Sequence, residues 1–244
     1  MRFADFKILT FDTYGTLIDW ETGILAALEP LLVRITPRPA RDEVLERFAQ
    51  VESALEAASP FMVYSDLLTA AYVTLGKGWG VTVSGTEAAR FGASVGDWPA
   101  FADSREALAT LKPRYKLVTL TNCDRLSYRG SHARLGEPMD VIVTAQDVGA
   151  YKPSRRNFEA LLDRVRRDFG ALPSDVLHVA QSLYHDHAPA MAMGLTTVWI
   201  DRRAAAAGHG ATKPPPAGFD PARIAFRFET MAAFAAAVAA ERGG

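Results

Sequence analysis

Thr10-Phe11-Asp12-Thr13-Tyr14-Gly15-Thr16-Leu17 is the stretch that decides the fold. It ends the apolar run 6–11 on a carboxylate, Asp12, and turns at once on Gly15. A carboxylate in that position lies on the carboxyl edge of a parallel sheet, where open α/β folds collect their chemistry. Two residues further stands Tyr14, not a second acid.

Working outward, short β-branched apolar runs recur at 7–11, 116–121, 141–144, 176–180 and 196–200. Helical stretches alternate with most of them, which predicts an α/β fold with a Rossmann-like, mainly parallel sheet covered on both faces. Asp103-Ser104-Arg105-Glu106 has the spacing of a capping box and predicts a helix running to Leu111. After Pro153-Ser154, the positions Phe158, Leu161, Leu162, Val165 and Phe169 repeat at helical spacing.

From Asp19 to about Val95 the strand signal disappears. Val44, Phe48, Val51 and Leu55 recur every three or four positions, as do Leu67, Leu68, Ala71 and Leu75. Pro37, Pro39, Pro60 and Gly76-Lys77-Gly78 punctuate the block. The reading is a catalytic core over residues 1–19 and 96–244, with a helical cap over 20–95 inserted after the first strand. A cap there hangs over the strand tips and can close a site like a lid. Its apolar outer stripe, including Leu67 and Tyr72, suits a homodimer. The stretch 204–220, with Gly208, Gly210 and Pro214-Pro215-Pro216, reads as mobile surface.

Composition narrows the class. With 244 residues and 49% apolar content, the chain can bury a sizeable core. A net charge of −1 gives no field for nucleic acid or an anionic membrane. The lone Cys123 excludes an internal disulfide and fits a reducing compartment. No basic-then-apolar leader precedes the first strand, and the Ala-rich run 231–240 is too short to span a bilayer. A cytoplasmic protein is the expectation. Gly-rich phosphate loops, zinc-spaced Cys/His pairs and a Gly-x-Ser-x-Gly elbow are all missing from the sequence. Arg155-Arg156 and the arginines of 164–167 read as a solvated helix face.

Four polar points fall at the ends of predicted strands: Asp12, Thr121-Asn122, Lys152 and Asp186. Together they supply a nucleophile candidate, hydroxyl and amide donors, a cation and a second carboxylate.

This constellation resembles the haloacid dehalogenase-like superfamily over nearly the whole chain. The motifs that carry the resemblance are Asp12-Thr13-Tyr14-Gly15-Thr16-Leu17, then Thr121-Asn122, then Tyr151-Lys152-Pro153, then Asp186. The phosphatase majority of that superfamily has Asp, a general acid, at the position of Tyr14. It also has a Gly-Asp pair where this chain has Ala180-Gln181, and that acid helps to hold Mg²⁺. Oxygen-rich, negatively charged shells hold Mg²⁺, so the resemblance implies no metal and no other cofactor. Losing a positioned proton donor costs about 10²- to 10⁴-fold in rate, which disfavours phosphate hydrolysis.

The Asp-x-Tyr-Gly-Thr-Leu form looks like the (S)-2-haloacid dehalogenase branch. That likeness implies hydrolysis of short 2-haloalkanoic acids to 2-hydroxy acids. Asp12 would attack the sp³ carbon and expel halide, and water would then release the aspartyl ester. Arg47-Phe48-Ala49-Gln50-Val51-Glu52 is similar to the branch's Arg-x-x-Gln-Leu-Glu stretch, making Arg47 the halide-receiving cation. By the same likeness Lys152 holds Asp12 ionised, Thr16 and Asn122 orient it, and Thr121 seats the substrate carboxylate. Asp186 orients or deprotonates the water, and Tyr14 and Gln181 border the substrate together with the aromatic residues Phe61, Tyr64 and Trp98. The chain departs from the branch at Phe158, Gln181 and Leu183, where the branch has Tyr, Ser and Asn. His185, with an unperturbed pKa near neutrality, is a candidate to assist the hydrolytic step. Three alternatives stay open: another strained or activated sp³ carbon such as a small heterocycle, weak phosphatase action, or a binding relative without chemistry.

Overall fold

The computed structural model describes residues 1–204 and 210–241. Its centre is a six-stranded sheet of β1 (Ile8–Phe11), β2 (Lys116–Thr121), β3 (Val141–Thr144), β4 (Val176–Ala180), β5 (Thr196–Ile200) and β6 (Phe226–Phe228). The strand order is β3-β2-β1-β4-β5-β6, and every pairing is parallel. Connections run one way from β1 to β2 and β3, then cross back to β4. The reversal therefore lies between β1 and β4, and their carboxyl ends frame a crevice.

The side-chain period of two divides the core cleanly. Leu9, Phe11, Leu117, Leu177 and Val179 enter one apolar cluster, whereas Ile8, Val118, Leu120 and Val176 enter another on the opposite face. All four residues of β1 are buried, as expected of a central parallel strand covered on both sides. Strand β6 was not expected from the sequence. Three residues, with only Phe226 and Phe228 half-buried, are too few to show a period.

Five helices lie between β1 and β2, and the first four make up the insertion: α1 (Trp20–Leu32), α2 (Arg41–Ala58), α3 (Tyr64–Gly78) and α4 (Gly85–Gly92). Leu67 and Tyr72 do not form an outer stripe. Both are fully buried, and Tyr72 meets the ring of Phe91 on α4 at 5.4 Å. The sequence reading had no α4, an eight-residue helix opened by a Ser84–Glu87 capping box. That helix covers the face left open without it.

The remaining helices flank the sheet: α5 (Ser104–Leu111), α6 (Arg125–Arg134), α7 (Ala145–Val148), α8 (Arg155–Phe169), α9 (Ala188–Ala192) and α10 (Met231–Ala240). Helix α5 matches its expected span, yet the capping box is not made. Asp103 instead accepts hydrogen bonds from Arg202 and from the Ala232 amide, so its carboxylate ties α5 to β5 and α10. Of the loop expected over 204–220, residues 205–209, Gly208 included, lie outside the described residues. Thr212 and Lys213 fold back toward the carboxyl edge of the sheet rather than out into solvent. Among the described residues no helix is long and apolar enough to cross a membrane.

The junction between the inserted helices and the sheet is a backbone contact. A Cβ on Gly130 of α6 would lie 2.5 Å from the Gly96 carbonyl oxygen. Backbone cannot give as a flexible side chain can. Gly130→Ala is expected to cost about 1–3 kcal/mol through overpacking, read as a lower urea midpoint at an unchanged m-value.

Candidate active site

Asp12 follows the last residue of β1, and its amide donates to the Val179 carbonyl of β4. The backbone therefore fixes the carboxylate at the point where the strand order reverses. Gly15, at φ +90°, turns the chain sharply so that Thr16 comes back beneath it. The Thr16 hydroxyl donates to Asp12 Oδ2 at 2.6 Å and accepts from the Gln181 amide at 2.9 Å.

Lys152 lies in the loop before α8 and is 2% exposed. Its ammonium donates to Asp12 Oδ1 and to Asp186 Oδ1, both at 2.8 Å, and to the Leu120 carbonyl at 3.1 Å. Asp186 sits in a single π-helical turn, Leu183–His187, directly after β4. Its Oδ1 also meets His178 Nε2 at 3.1 Å, and His178 Nδ1 in turn meets the Thr10 hydroxyl at 2.8 Å. Asp186 Oδ2 is buried with no hydrogen-bond partner. Phe158 sets its ring edgewise against His178, 5.5 Å between centroids.

The inserted helices roof this array. A cavity of about 40 Å³ is bordered below by Asp12, Lys152 and Asp186, and above by Glu52 and Glu56 of α2. Trp20, Tyr64 and Tyr14 supply aromatic wall. A single water needs about 10–15 Å³ by this measure, so the space suits a ligand of a few heavy atoms. Tyr64 donates to Glu52 Oε1 at 2.5 Å, and Asn122 Nδ2 donates to Glu56 Oε1 at 3.0 Å. A larger cavity of about 330 Å³ adjoins it, sharing Trp20 and Thr212, with Arg41, Arg203 and Gln181 in its wall.

Of the expected site residues, Asp12, Thr16, Lys152, Asn122 and Asp186 come together at the crevice. Tyr14 borders the cavity, but its hydroxyl meets Ser131 Oγ at 2.9 Å and donates to Cys123 Sγ at 3.3 Å. Gln181 faces the larger neighbouring cavity. Thr121 is buried, its hydroxyl accepting from the Cys123 amide. Of the three further aromatics, Tyr64 reaches the cavity, Trp98 packs on the Tyr14 ring, and Phe61 is exposed.

Arg47 is elsewhere. Its guanidinium donates to the Gly78 carbonyl at 2.8 Å and lies over the Trp79 ring, 5.0 Å from the centroid. At 100° per residue, it is about 140° around α2 from Glu52. The helix thus turns carboxyl groups toward Asp12 and its arginine away.

The electrostatics follow from one cation set among several buried acids. Burial opposes the charge of Lys152, but Asp12 and Asp186 outweigh it and raise the ammonium's pKa. Burial also opposes the charge of Asp186, yet Lys152 and His178 bring that carboxyl well below the usual range. Asp12 goes the other way. Burial raises it, the charge of Asp186 adds to the rise, and Lys152 and Thr16 only partly offset it. The Lys152 contact expected at Asp12 is present, but a single ammonium shared by two carboxylates does not hold both low. Burial pushes Glu52 up to about 7, and burial together with Glu52 pushes Glu56 well above the carboxylate range. His185, buried beside Ser182, is lowered to about 4 and is neutral at physiological pH.

Mg²⁺, used by the phosphatases of the superfamily that the motifs resemble, does not match this donor set. Lys152 occupies the space between the two carboxylates, Thr16 holds the other oxygen of Asp12, and Tyr14 and Gln181 stand where those phosphatases have acids. Among the described residues, His, Cys, Asp and Glu form no group of three or more suited to a metal ion.

Glu52, Glu56, Trp20, His178 and Thr212 were not anticipated. His178 carried a signal, as a lone polar residue inside an apolar strand. Glu52 and Glu56 carried one too, four apart on the helix face that also buries Phe48 and Ala49.

A family model described as haloacid dehalogenase-like hydrolase matches residues 6–183. No curated protein matches the chain. Among solved structures, the L-2-haloacid dehalogenase of Xanthobacter autotrophicus with chloropropionic acid covalently bound is 16% identical. It covers 96% of this chain and 98% of its own, at a TM-score of 0.76. A defluorinating L-2-haloacid dehalogenase, Rha0230, is 20% identical over 98% and 99% of the two chains, with a TM-score of 0.74. The putative HAD-hydrolase YfnB from Bacillus subtilis, bound to magnesium, is 16% identical over 98% and 100%, with a TM-score of 0.72. At these identities the likeness is one of fold.

Removing the shared cation exposes the energetics. Lys152→Met leaves Asp12 and Asp186 buried without it, a loss of about 3–5 kcal/mol at pH 7. Without the ammonium both carboxyls have raised folded pKa values, so the deficit is full at high pH. It shrinks as pH falls through those values and the carboxyls take up protons. Urea unfolding of both proteins between pH 4 and 8 checks the sign.

Proposed function

Because the chain belongs to the haloacid dehalogenase-like hydrolase family, we propose that it hydrolyses a bond to an activated sp³ carbon through an ester on Asp12, with short 2-haloalkanoic acids as the first substrates to examine. The observation that carries this reading is the setting of Asp12. One oxygen is held by Thr16, the other contacts Lys152, and the Tyr14 hydroxyl is turned away toward Ser131. Phosphoryl transfer to Asp12 followed by release would need a proton donor for the leaving oxygen, and no acid stands two residues on. A halide leaves as an anion and takes no proton.

In the first step an Asp12 oxygen attacks the carbon, and the carbon–halogen electron pair departs with the halide. The bound carboxylate of the substrate makes the neighbouring carbon electrophilic. In the second step water attacks the carboxyl carbon of the Asp12 ester. The lack of a partner on Asp186 Oδ2 supports a role for this carboxylate in accepting a hydrogen bond from that water, which orients it. The depressed pKa of Asp186 suits this orienting role better than full proton removal. Collapse expels the 2-hydroxy acid; one proton of the water ends on the product alkoxide, and the other passes to solvent as Asp12 returns to its carboxylate. Asp12 is restored with one oxygen from solvent. The aromatic wall and the small volume limit competing water until the ester has formed.

The likeness to the Xanthobacter enzyme with covalently bound chloropropionic acid supports a covalent first step. Turnover of 2-chloropropionate or chloroacetate in H₂¹⁸O is expected to release halide and to leave the label in the Asp12 peptide. Asp12→Asn is expected to abolish turnover. Because burial raises the Asp12 carboxyl, activity is expected to fall on acidification along a limb shifted to higher pH than that of an ordinary aspartate, which pH–kcat/KM profiles resolve. Mg²⁺-dependent hydrolysis of a phosphate ester with no label in Asp12 would overturn the reading.

A further inference from the structure

Resting on the aspartyl-ester reading above, we propose that the Glu52–Glu56 roof selects a substrate whose reacting carbon carries a positively charged ring nitrogen, and that Glu56 protonates this nitrogen as it departs. The charges that border the small cavity motivate the assignment. Four carboxyl groups, Asp12, Glu52, Glu56 and Asp186, face one ammonium, Lys152. That ammonium already spends its three donors on Asp12, Asp186 and the Leu120 carbonyl. Among the described residues that line this cavity, Lys152 is the sole cation for a departing halide; Arg47 lies over Trp79, Lys213 lies over Tyr184, and Arg41 and Arg203 border the neighbouring cavity, where both pair with Glu21.

What the cavity lacks is positive charge. A cationic nitrogen supplies it, and Trp20 and Tyr64 border the space, aromatic residues being ones that attract an ammonium. Asp186, whose Oδ2 is buried without a partner and is the acceptor assigned above to the hydrolytic water, borders the same cavity. Glu56 is flanked by Glu52, Asn122 and Lys152, with Lys213 on its outer side, and burial together with Glu52 pushes its carboxyl well above the usual carboxylate range. Its Oε1 accepts from Asn122, which leaves Oε2 to carry the proton. The inner space of about 40 Å³ favours a small ring, and the strain of a three- or four-membered ring makes its carbon–nitrogen bond breakable where an open-chain one is not.

The atoms balance. Asp12 attacks the ring carbon, a carbon–oxygen bond forms, and the carbon–nitrogen pair withdraws onto nitrogen, which becomes a neutral amine. The amine takes the Glu56 proton and is an ammonium again. Water then cleaves the Asp12 ester, giving an alcohol and one proton, and that proton restores Glu56. The net change is addition of water across the ring bond.

The test presents aziridine-2-carboxylate, azetidine-2-carboxylate and 2-chloropropionate separately to the whole protein in H₂¹⁸O. Ring-opened product and Asp12 label are followed by mass spectrometry, and chloride by ion chromatography. The expected result is ring opening of at least one cyclic amine with label in Asp12, and a higher kcat/KM than for 2-chloropropionate. Glu56→Gln should lower kcat by about 10²- to 10⁴-fold and remove the alkaline limb of the pH–kcat profile, while Glu52→Gln should chiefly raise KM. Thermal unfolding confirms that each variant is folded, and the wild-type comparison stands without them. Chloride release with Asp12 label but no ring opening overturns the inference and leaves the ester reading intact. Ring opening without label in Asp12 overturns both, as does the lack of any turnover or label with all three compounds.

Discussion

The ammonium of Lys152 holds the centre of this molecule together. It reaches Asp12 after β1 and Asp186 after β4 at the same distance, and so pins the two strand ends that frame the crevice. Each of those carboxylates would be costly in an apolar interior without it. The sheet order, with its reversal between β1 and β4, is what brings the three groups to one place. Backbone bonds do the positioning: Asp12 to Val179, and the Lys152 amide to the Asn122 side chain at 2.7 Å.

The sheet was legible because buried parallel strands write themselves as short apolar runs. Four of the five expected runs match the observed strands in both bounds, and the fifth begins one residue later. What escaped was too short or too local to leave a period. Strand β6 has three residues, α4 has eight, and the π-turn at Leu183–His187 depends on how Ser182 caps it. Residues at the strand ends were legible for the same reason as the strands. Groups contributed by the insertion were not, because a short motif match says nothing of helix phase. Arg47 was chosen by neighbouring letters, whereas the rotation of α2, set by burying Phe48 and Ala49, turns Glu52 and Glu56 inward.

That rotation changes the chemistry of the space above Asp12. Several acids around one base drive their pKa values apart, since each ionised group makes the next harder to ionise. Asp186 is held low, Glu52 is poised near 7, and Glu56 is pushed well above the carboxylate range. Groups separated in this way provide an anion and an acid a few residues apart on one helix, the pattern by which a fold runs both halves of a proton transfer at neutral pH. The departures at Phe158 and Gln181 fit the same account. Phe158 packs against His178 and Gln181 looks out to the neighbouring cavity, so neither adds a polar group to the inner one.

Cys123 has a meaning beyond its hydrogen bond from Tyr14. It is the chain's sole thiol, 1% exposed, and burial pushes its pKa far up. Thiolates, not thiols, are the groups that electrophilic carbon modifies. A thiol so buried and so weakly acidic is a poor target for the electrophilic substrates proposed above.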